Sequence, residues 1–329
     1  MRTLIALLLL LTSPLAAASY ADHPRSEELL QLLAKEYRFS NDDLAMARRA
    51  LAAANKVPKL IEAEQNAKEK TLTWTRYRPI HVNQRNIERG AAFMREQADW
   101  LSKAEAEFGV PAEVIAAILG VETKWGGYTG PHRVLDSLAT QGFDHPRRHA
   151  FFFRELAEYL AFCRDQGRDP AEVVGSYAGA MGLAQFMPSN YRRLALDYDQ
   201  DGDVDLWSIP DAIGSIGAYL VRYRPSVGWQ RGQPVAVRAV VSGRPDSDAN
   251  PRKPNSTVQA LSRLGIQPAL GLDATLEAAH LELVLDEGRE HWIGLNNFFS
   301  IMSYNPRVFY AMSVYELSQA IAVAAVSAD

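Results

Sequence analysis

The chain has 329 residues, 47% of them hydrophobic and 22% charged, with a formal net charge of −4 at pH 7. That length holds one large domain or a few small lobes sharing a core, and the composition is that of an ordinary globular protein. The mild acidity, with no basic block and no basic stripe interleaved with aromatics, excludes a nucleic-acid binder.

The chain opens with Arg2, an unbroken apolar run from Leu4 to Leu11, then Pro14 and Leu15-Ala16-Ala17-Ala18. A short positive region, an apolar stretch and small residues at Ala16 and Ala18 predict a signal peptide over residues 1–18. The run is too short to span a bilayer. No cysteine lies near the cleavage site to carry a lipid, so the expected product is exported and soluble. The only cysteine, Cys163, sits in a helical pattern and reads as a buried apolar residue, with no internal disulfide.

Residues 26–67 carry short helical patterns, and Ser40-Asn41-Asp42-Asp43 is an N-cap cluster before the second of them. Residues 71–80, TLTWTRYRPI, alternate and read as extended. Residues 83–108 read as one long amphipathic helix ending at Gly109 and Pro111, and residues 112–123 as an apolar helix. Residues 134–166 are helical, with Phe151, Phe152, Leu156, Leu160 and Phe162 on the inner face. A helix and an acidic loop fill 187–207, and another helix 211–223. Beyond Trp229 the pattern changes: Pro234–Val241 and Leu281–Leu285 read as strands, separated by a polar stretch and a short helix near 257–264. Residues 306–326 return to helix; Glu316, Ser318 and Gln319 interrupt its apolar run, so it reads as a core helix and not as a membrane span.

Glu122 is the unusual residue of the apolar helix. It lies on the face of Ile115, Ile118 and Leu119, at helical spacings of seven, four and three. Desolvation by that face and the negative helix end both raise its pKa, as a general acid needs. A distant arginine partner, or a capping role, would explain the same residue structurally. The loop that follows, Lys124-Trp125-Gly126-Gly127-Tyr128-Thr129-Gly130-Pro131, combines glycines that admit close backbone approach with aromatics that can stack on sugars. Residues 175–189 mix small residues with isolated polar groups, as a cleft wall or a tight helix crossing would.

The stretches GVETKWG, GSYAGAMGLAQFMPSNY, DGDVDLW with DAIGSIGAYL, and FYAMSVYELSQAI, in this order, resemble the motif series of the B-type lytic murein transglycosylases. The resemblance runs from about residue 25 to the C-terminus. It implies an α+β, mainly α fold: a lysozyme-like helical core (81–230) with an N-terminal helical lobe (25–80), a small α/β insertion (231–293) and C-terminal helices completing the core (294–329). It also implies cleavage of the β-1,4 bond between N-acetylmuramic acid and N-acetylglucosamine in peptidoglycan, with formation of a 1,6-anhydromuramic end in the periplasm. Glu122 takes the catalytic glutamate position, with no second catalytic carboxylate. Ser176, Gln185, Phe186, Tyr219, Tyr304, Asn305, Tyr77 and Tyr310 take cleft positions that bind substrate. The implied partners are glycan strands and other cell-wall enzymes. A catalytically inactive peptidoglycan-binding scaffold, or a true muramidase, would use the same fold.

The loop from Asp197 to Asp205 has the acids at positions one, three and five, and the glycine at position six, of an EF-hand. The glutamate expected at the end of such a loop is replaced by Ser208, and the next acid is Asp211, which matches the end of the family's elongated loop. The expected ligands of a structural Ca²⁺ are Asp197, Asp199, Asp201, Asp203 and Asp211. No organic cofactor is expected.

Overall fold

The computed structural model describes residues 19–65, 71–243, 245 and 247–327. The signal peptide expected over 1–18 lies outside the described residues. Helix α1 (Ser26–Glu36) buries Leu29, Leu30 and Leu33. Helix α2 (Asn41–Ala53) starts at the N-cap read from the sequence. The Ser40 hydroxyl accepts the Asp43 N–H, and the Asp43 carboxylate accepts the Ser40 N–H, a reciprocal capping box. Helix α3 (Lys59–Gln65) follows.

The stretch read as extended is instead helix α4 (Trp74–His81). Its alternation of threonine and larger residues mimics a strand, but Trp74 and Tyr77 are one helical turn apart and are both buried. Both rings pack on Phe309, at 5.4 and 5.6 Å between centroids. Tertiary burial has overridden the local pattern.

The expected single helix over 83–108 is broken at Gln97 into α5 (Gln84–Glu96) and α6 (Ala98–Phe108). The break lets the two halves face different partners. Helix α6 turns Leu101, Ala104 and Phe108 inward beside helix α11 (Ile209–Arg222), while α5 lies along helix α14 (Val308–Val326). Residues 134–166 likewise form two helices, α8 (Val134–Asp144) and α9 (His149–Asp165), separated at His145-Pro146. Proline cannot continue α8, and His145 Nδ1 accepts the N–H groups of Arg147 and Arg148 at the start of α9. Phe151, expected inside, is 42% exposed.

Helix α7 (Ala112–Thr123) stands at the centre of the helical core and buries every residue from Val114 to Gly120 against α5, α6, α11 and α14. Strands β1 (His132–Arg133) and β2 (Val174–Gly175) form a short antiparallel pair, and helix α10 (Pro188–Leu194) leads into the acidic loop. Cys163 is buried in α9, as expected, and burial pushes its thiol up to about 12.

The second part of the chain holds an antiparallel sheet of β3 (Ala236–Val241), β4 (Ser256–Thr257), β5 (Ile266–Pro268), β6 (Glu277–Val284) and β7 (Arg289–Leu295), in the order β4-β6-β7-β3-β5. Helix α12 (Val258–Arg263) closes a small core over it, made by Val258, Leu261, Ile266, Ala278, Ile293 and Leu295. The other core is continuous from the N-terminal helices to α14. Strand β7 runs directly into helix α13 (Asn296–Tyr304), which packs on α11 and α14. Among the described residues α14 is the one helix long and apolar enough to cross a membrane. One of its faces, with Tyr310, Val314, Leu317 and Ile321, is buried on the core, as the sequence pattern led one to expect.

Candidate active site

Glu122 is the penultimate residue of α7, and helix α14 crosses it. The Tyr310 hydroxyl donates to Glu122 Oε1 at 2.6 Å. Burial raises the carboxyl to about 7, and the tyrosine hydrogen bond opposes that rise. Tyr310 and Tyr304 are pushed well above the usual phenol range, first by burial and then by the negative charge of Glu122. Both therefore stay protonated near neutral pH and serve as donors.

Glu122 opens into a cleft of about 500 Å³. One wall is the loop after α7, where Tyr128 stands 59% exposed. This loop closes against β2 at Gly130, with φ of 105°, where a Cβ would lie 2.1 Å from the Gly175 carbonyl oxygen. The opposite wall is the irregular run after β2. Ser176 Oγ accepts the N–H groups of Ala178 at 3.3 Å and Ala180 at 3.0 Å, which leaves its own proton to donate. Gln185 has a left-handed backbone, with φ of 49°. Its Nε2 donates to Thr129 O at 3.1 Å and Gly182 O at 2.9 Å, tying the two walls together. Both its N–H donors are then engaged, and its amide oxygen is the group left to accept. Tyr304 and Asn305, at the end of α13, form the third side, with the Tyr304 hydroxyl donating to Ala184 O at 2.5 Å. The run 175–189 is thus a cleft wall and not a helix crossing.

Phe186 and Tyr219 stand behind this wall. Both are buried, their rings 5.3 Å apart and each packed on Tyr304. The Tyr219 hydroxyl donates to Ser303 O at 2.9 Å. Tyr77 is buried beside Phe309. These three were expected to touch substrate; their rings are instead enclosed by core side chains, where they brace Tyr304 and α14.

The acidic loop draws together three of the five expected metal ligands. Carboxylate oxygens of Asp197, Asp199 and Asp211 lie within 4.8 Å of one another. Asp211, in the first turn of α11, is buried and accepts the N–H groups of Tyr198 at 2.6 Å and Asp205 at 2.7 Å. Asp197 accepts those of Asp201 and Gly202 at 3.1 and 3.0 Å. Asp201 and Asp203 stay outside the trio; Asp201 accepts the Asp203 N–H at 2.9 Å. Three converging carboxylates repel one another, and hard oxygen donors of this kind fit Ca²⁺.

Residues 24–319 match a family model described as the transglycosylase SLT domain. The chain belongs to that family. It is 35% identical over 316 residues to the membrane-bound lytic murein transglycosylase B of Escherichia coli, covering 93% of this chain and 85% of the relative. The structure of the lytic transglycosylase SltB1 from Pseudomonas aeruginosa superposes with a TM-score of 0.85 at 38% identity, covering 93% of this chain and 99% of that one. The Escherichia coli lytic transglycosylase Slt35, solved in complex with calcium, superposes with a TM-score of 0.82 at 35% identity, covering 93% and 95%. The lysozyme-like fold class read from the motifs holds for this member of the family.

Sequence reasoning missed several groups in the cleft of this transglycosylase. His132 and Arg148 line it unannounced, and Tyr177 and Met187 join it from the run 175–189 without having been singled out there. Arg148 comes from the start of α9, its guanidinium 4.9 and 4.8 Å from the ring centres of Phe151 and Phe152. The break at His145-Pro146 was its only signal. Trp125, read as a sugar-stacking aromatic, is turned back onto α7, where its Nε1–H donates to Ala116 O at 2.8 Å.

Proposed function

We propose that Glu122 acts first as acid and then as base in a peptidoglycan lytic transglycosylase that forms 1,6-anhydromuramic ends. One observation carries this reading: among the described residues lining the cleft, Glu122 is the only acid. Ordinary glycosidases need a second carboxylate opposite the first, either as nucleophile or to activate water. A cleft with one carboxyl suits a reaction whose nucleophile belongs to the substrate.

Protonated Glu122 donates to the glycosidic oxygen, and the bond from that oxygen to the muramic C1 breaks. The substrate's N-acetyl oxygen stabilises the charge at C1, and the free proton of Ser176 holds that group in place. The C6 hydroxyl oxygen then bonds to C1, and its proton passes to Glu122, restoring the acid. No water is consumed. A pKa of about 7 leaves Glu122 able to give and to take the proton near neutral pH. Tyr310 fixes the carboxyl, Gln185 and Asn305 offer polar contacts to the sugars, and buried Phe186, Tyr219 and Tyr77 keep the wall rigid. The work of the protein is positioning and the exclusion of water.

Asp197, Asp199 and Asp211 would hold a Ca²⁺ whose charge offsets their repulsion and fastens the loop between α10 and α11, with Asp201 and Asp203 near enough in sequence to complete the shell. The role is structural. The leader pattern at residues 1–18 supports export to the periplasm, where glycan strands and other cell-wall enzymes are the partners.

The test is Glu122→Gln. The amide keeps the shape and cannot shuttle a proton, so cleavage should vanish while binding to glycan strands persists. Substantial residual cleavage would remove Glu122 from the mechanism.

A further inference from the structure

The turn that follows Glu122 is built in an unusual way. Helix α7 ends at Thr123, and the next three residues are all left-handed: Lys124 at φ 53°, Trp125 at φ 54° and Gly126 at φ 84°. Two of them carry side chains, for which this backbone is unfavourable. Such a run persists only where its surroundings over-determine it.

The surroundings here centre on the Trp125 indole. It folds back along α7 and donates through Nε1 to Ala116 O at 2.8 Å. It fills a socket left by two glycines. A Cβ on Gly120 would lie 2.4 Å from the indole, and one on Gly90 of α5 would lie 2.9 Å from it. Phe93 of α5 packs on the ring at 6.5 Å. Arg89, also of α5, sits 5.6 Å over the ring and donates to Lys124 O at 2.8 Å. On the other side of the turn, Thr123 Oγ1 accepts the Gly126 N–H at 3.1 Å and lies 3.2 Å from Leu183 O in the far cleft wall. The Tyr128 N–H returns to Thr123 O at 2.9 Å.

The last turn of a helix frays unless it is tied. Here the last turn carries Glu122, and the tie lies three residues on. The same turn launches Tyr128, Thr129 and Gly130 into the cleft, with Thr129 O held by Gln185. From these contacts we infer that Trp125 is a positioning residue of the reaction. It touches no substrate, and it fixes both the height of the Glu122 carboxyl and the loop that faces it. This rests on the acid–base role of Glu122. A carboxyl that must reach two oxygens in succession tolerates little displacement, since a shift of about 1 Å can lower the rate about a hundredfold.

A matched control lies elsewhere in the molecule. Trp229 is buried where Trp125 is half-buried, and its Nε1–H likewise donates to a backbone oxygen, that of Gly109, at 2.9 Å. Trp125→Phe and Trp229→Phe each remove one indole N–H bond of the same kind. The experiment compares turnover on soluble glycan strands for both variants and the parent chain. Glycan affinity is measured in a Glu122→Gln background, so that nothing is cleaved. Trp125→Phe should lower kcat by about ten- to a hundredfold with glycan affinity within about twofold, while Trp229→Phe keeps the parent kcat. Equal kcat losses in the two variants, or a Trp125→Phe kcat within about twofold of the parent, overturn the inference. Should Trp125→Phe fail to fold, Arg89→Met removes the bond to Lys124 O from the rim of the socket. A kcat reduced several-fold at unchanged affinity then supports the inference, and an unchanged kcat overturns it. If the parent chain and the Trp229 variant release no anhydro ends, the functional reading itself is what fails.

Discussion

Glu122→Gln should stabilise the protein at alkaline pH and leave it unchanged in acid. Burial raises the Glu122 carboxyl from its ordinary value of 4.5 to about 7 in the folded chain. A folded-state pKa above the unfolded one means that the native protein binds this proton more tightly. The associated stability is fully present below about 4.5 and is lost as pH rises through about 7. Each tenfold difference in proton affinity is worth about 1.4 kcal/mol, so the charged form weakens the fold by up to about 3 kcal/mol at pH values well above 7. Glutamine carries no charge at any pH, and its amide oxygen still accepts from the Tyr310 hydroxyl. The variant and the parent should therefore melt together near pH 4. Their stabilities should diverge through the neutral range, with the variant ahead by a gap approaching about 3 kcal/mol near pH 9. Urea unfolding curves of both proteins at intervals across that range measure the gap directly, and the titrations of all other groups cancel in the difference. A gap independent of pH would refute the burial argument. A parent more stable than the variant at high pH would mean that the carboxyl is held in its charged form, contrary to the environment on α7.

Three further outcomes follow from the same geometry. The rate of cleavage should fall as pH climbs through about 7, because the acid step needs a protonated Glu122. Tyr310→Phe removes the hydrogen bond that opposes the rise, so the basic limb of that profile should move to higher pH even as activity drops; a limb moved to lower pH would contradict the assigned bond. Calcium should raise the melting temperature of chelator-stripped protein, by about 2.7 kcal/mol of added stability at a concentration a hundred times its dissociation constant. Asp211→Asn should abolish that rise, and a rise that survives this substitution would place the ion elsewhere.

The candidate centre was legible because its residues sit in short, distinctive local patterns, although those patterns lie far apart in the chain. Glu122 was marked by the apolar face it interrupts, and Ser176 and Gln185 by the irregular run that holds them. Depth was not legible. Phe186, Tyr219 and Tyr77 look like cleft aromatics in one dimension, and only the packing of α4, α11 and α13 shows them behind the wall. Helix α4 was misread for a related reason: its alternation is local, while the burial of Trp74 and Tyr77 depends on Phe309, far away in sequence. The break at Gln97 answers to the partners each helix half meets, which a periodicity cannot carry, whereas the break at His145-Pro146 is written in the proline itself. Arg148 reaches the cleft through one of those breaks. The acidic loop was read from its spacing, yet its convergence on Asp211 depends on where α11 begins.

The most direct test of a single-carboxyl cleft with an intramolecular nucleophile is digestion of purified peptidoglycan in ¹⁸O-labelled water. Mass spectrometry of the released muropeptides should show anhydro ends, lighter by one water than the reducing ends of a hydrolase, with no ¹⁸O incorporated. Reducing ends carrying the label at C1 would show that water is the nucleophile and would contradict the account.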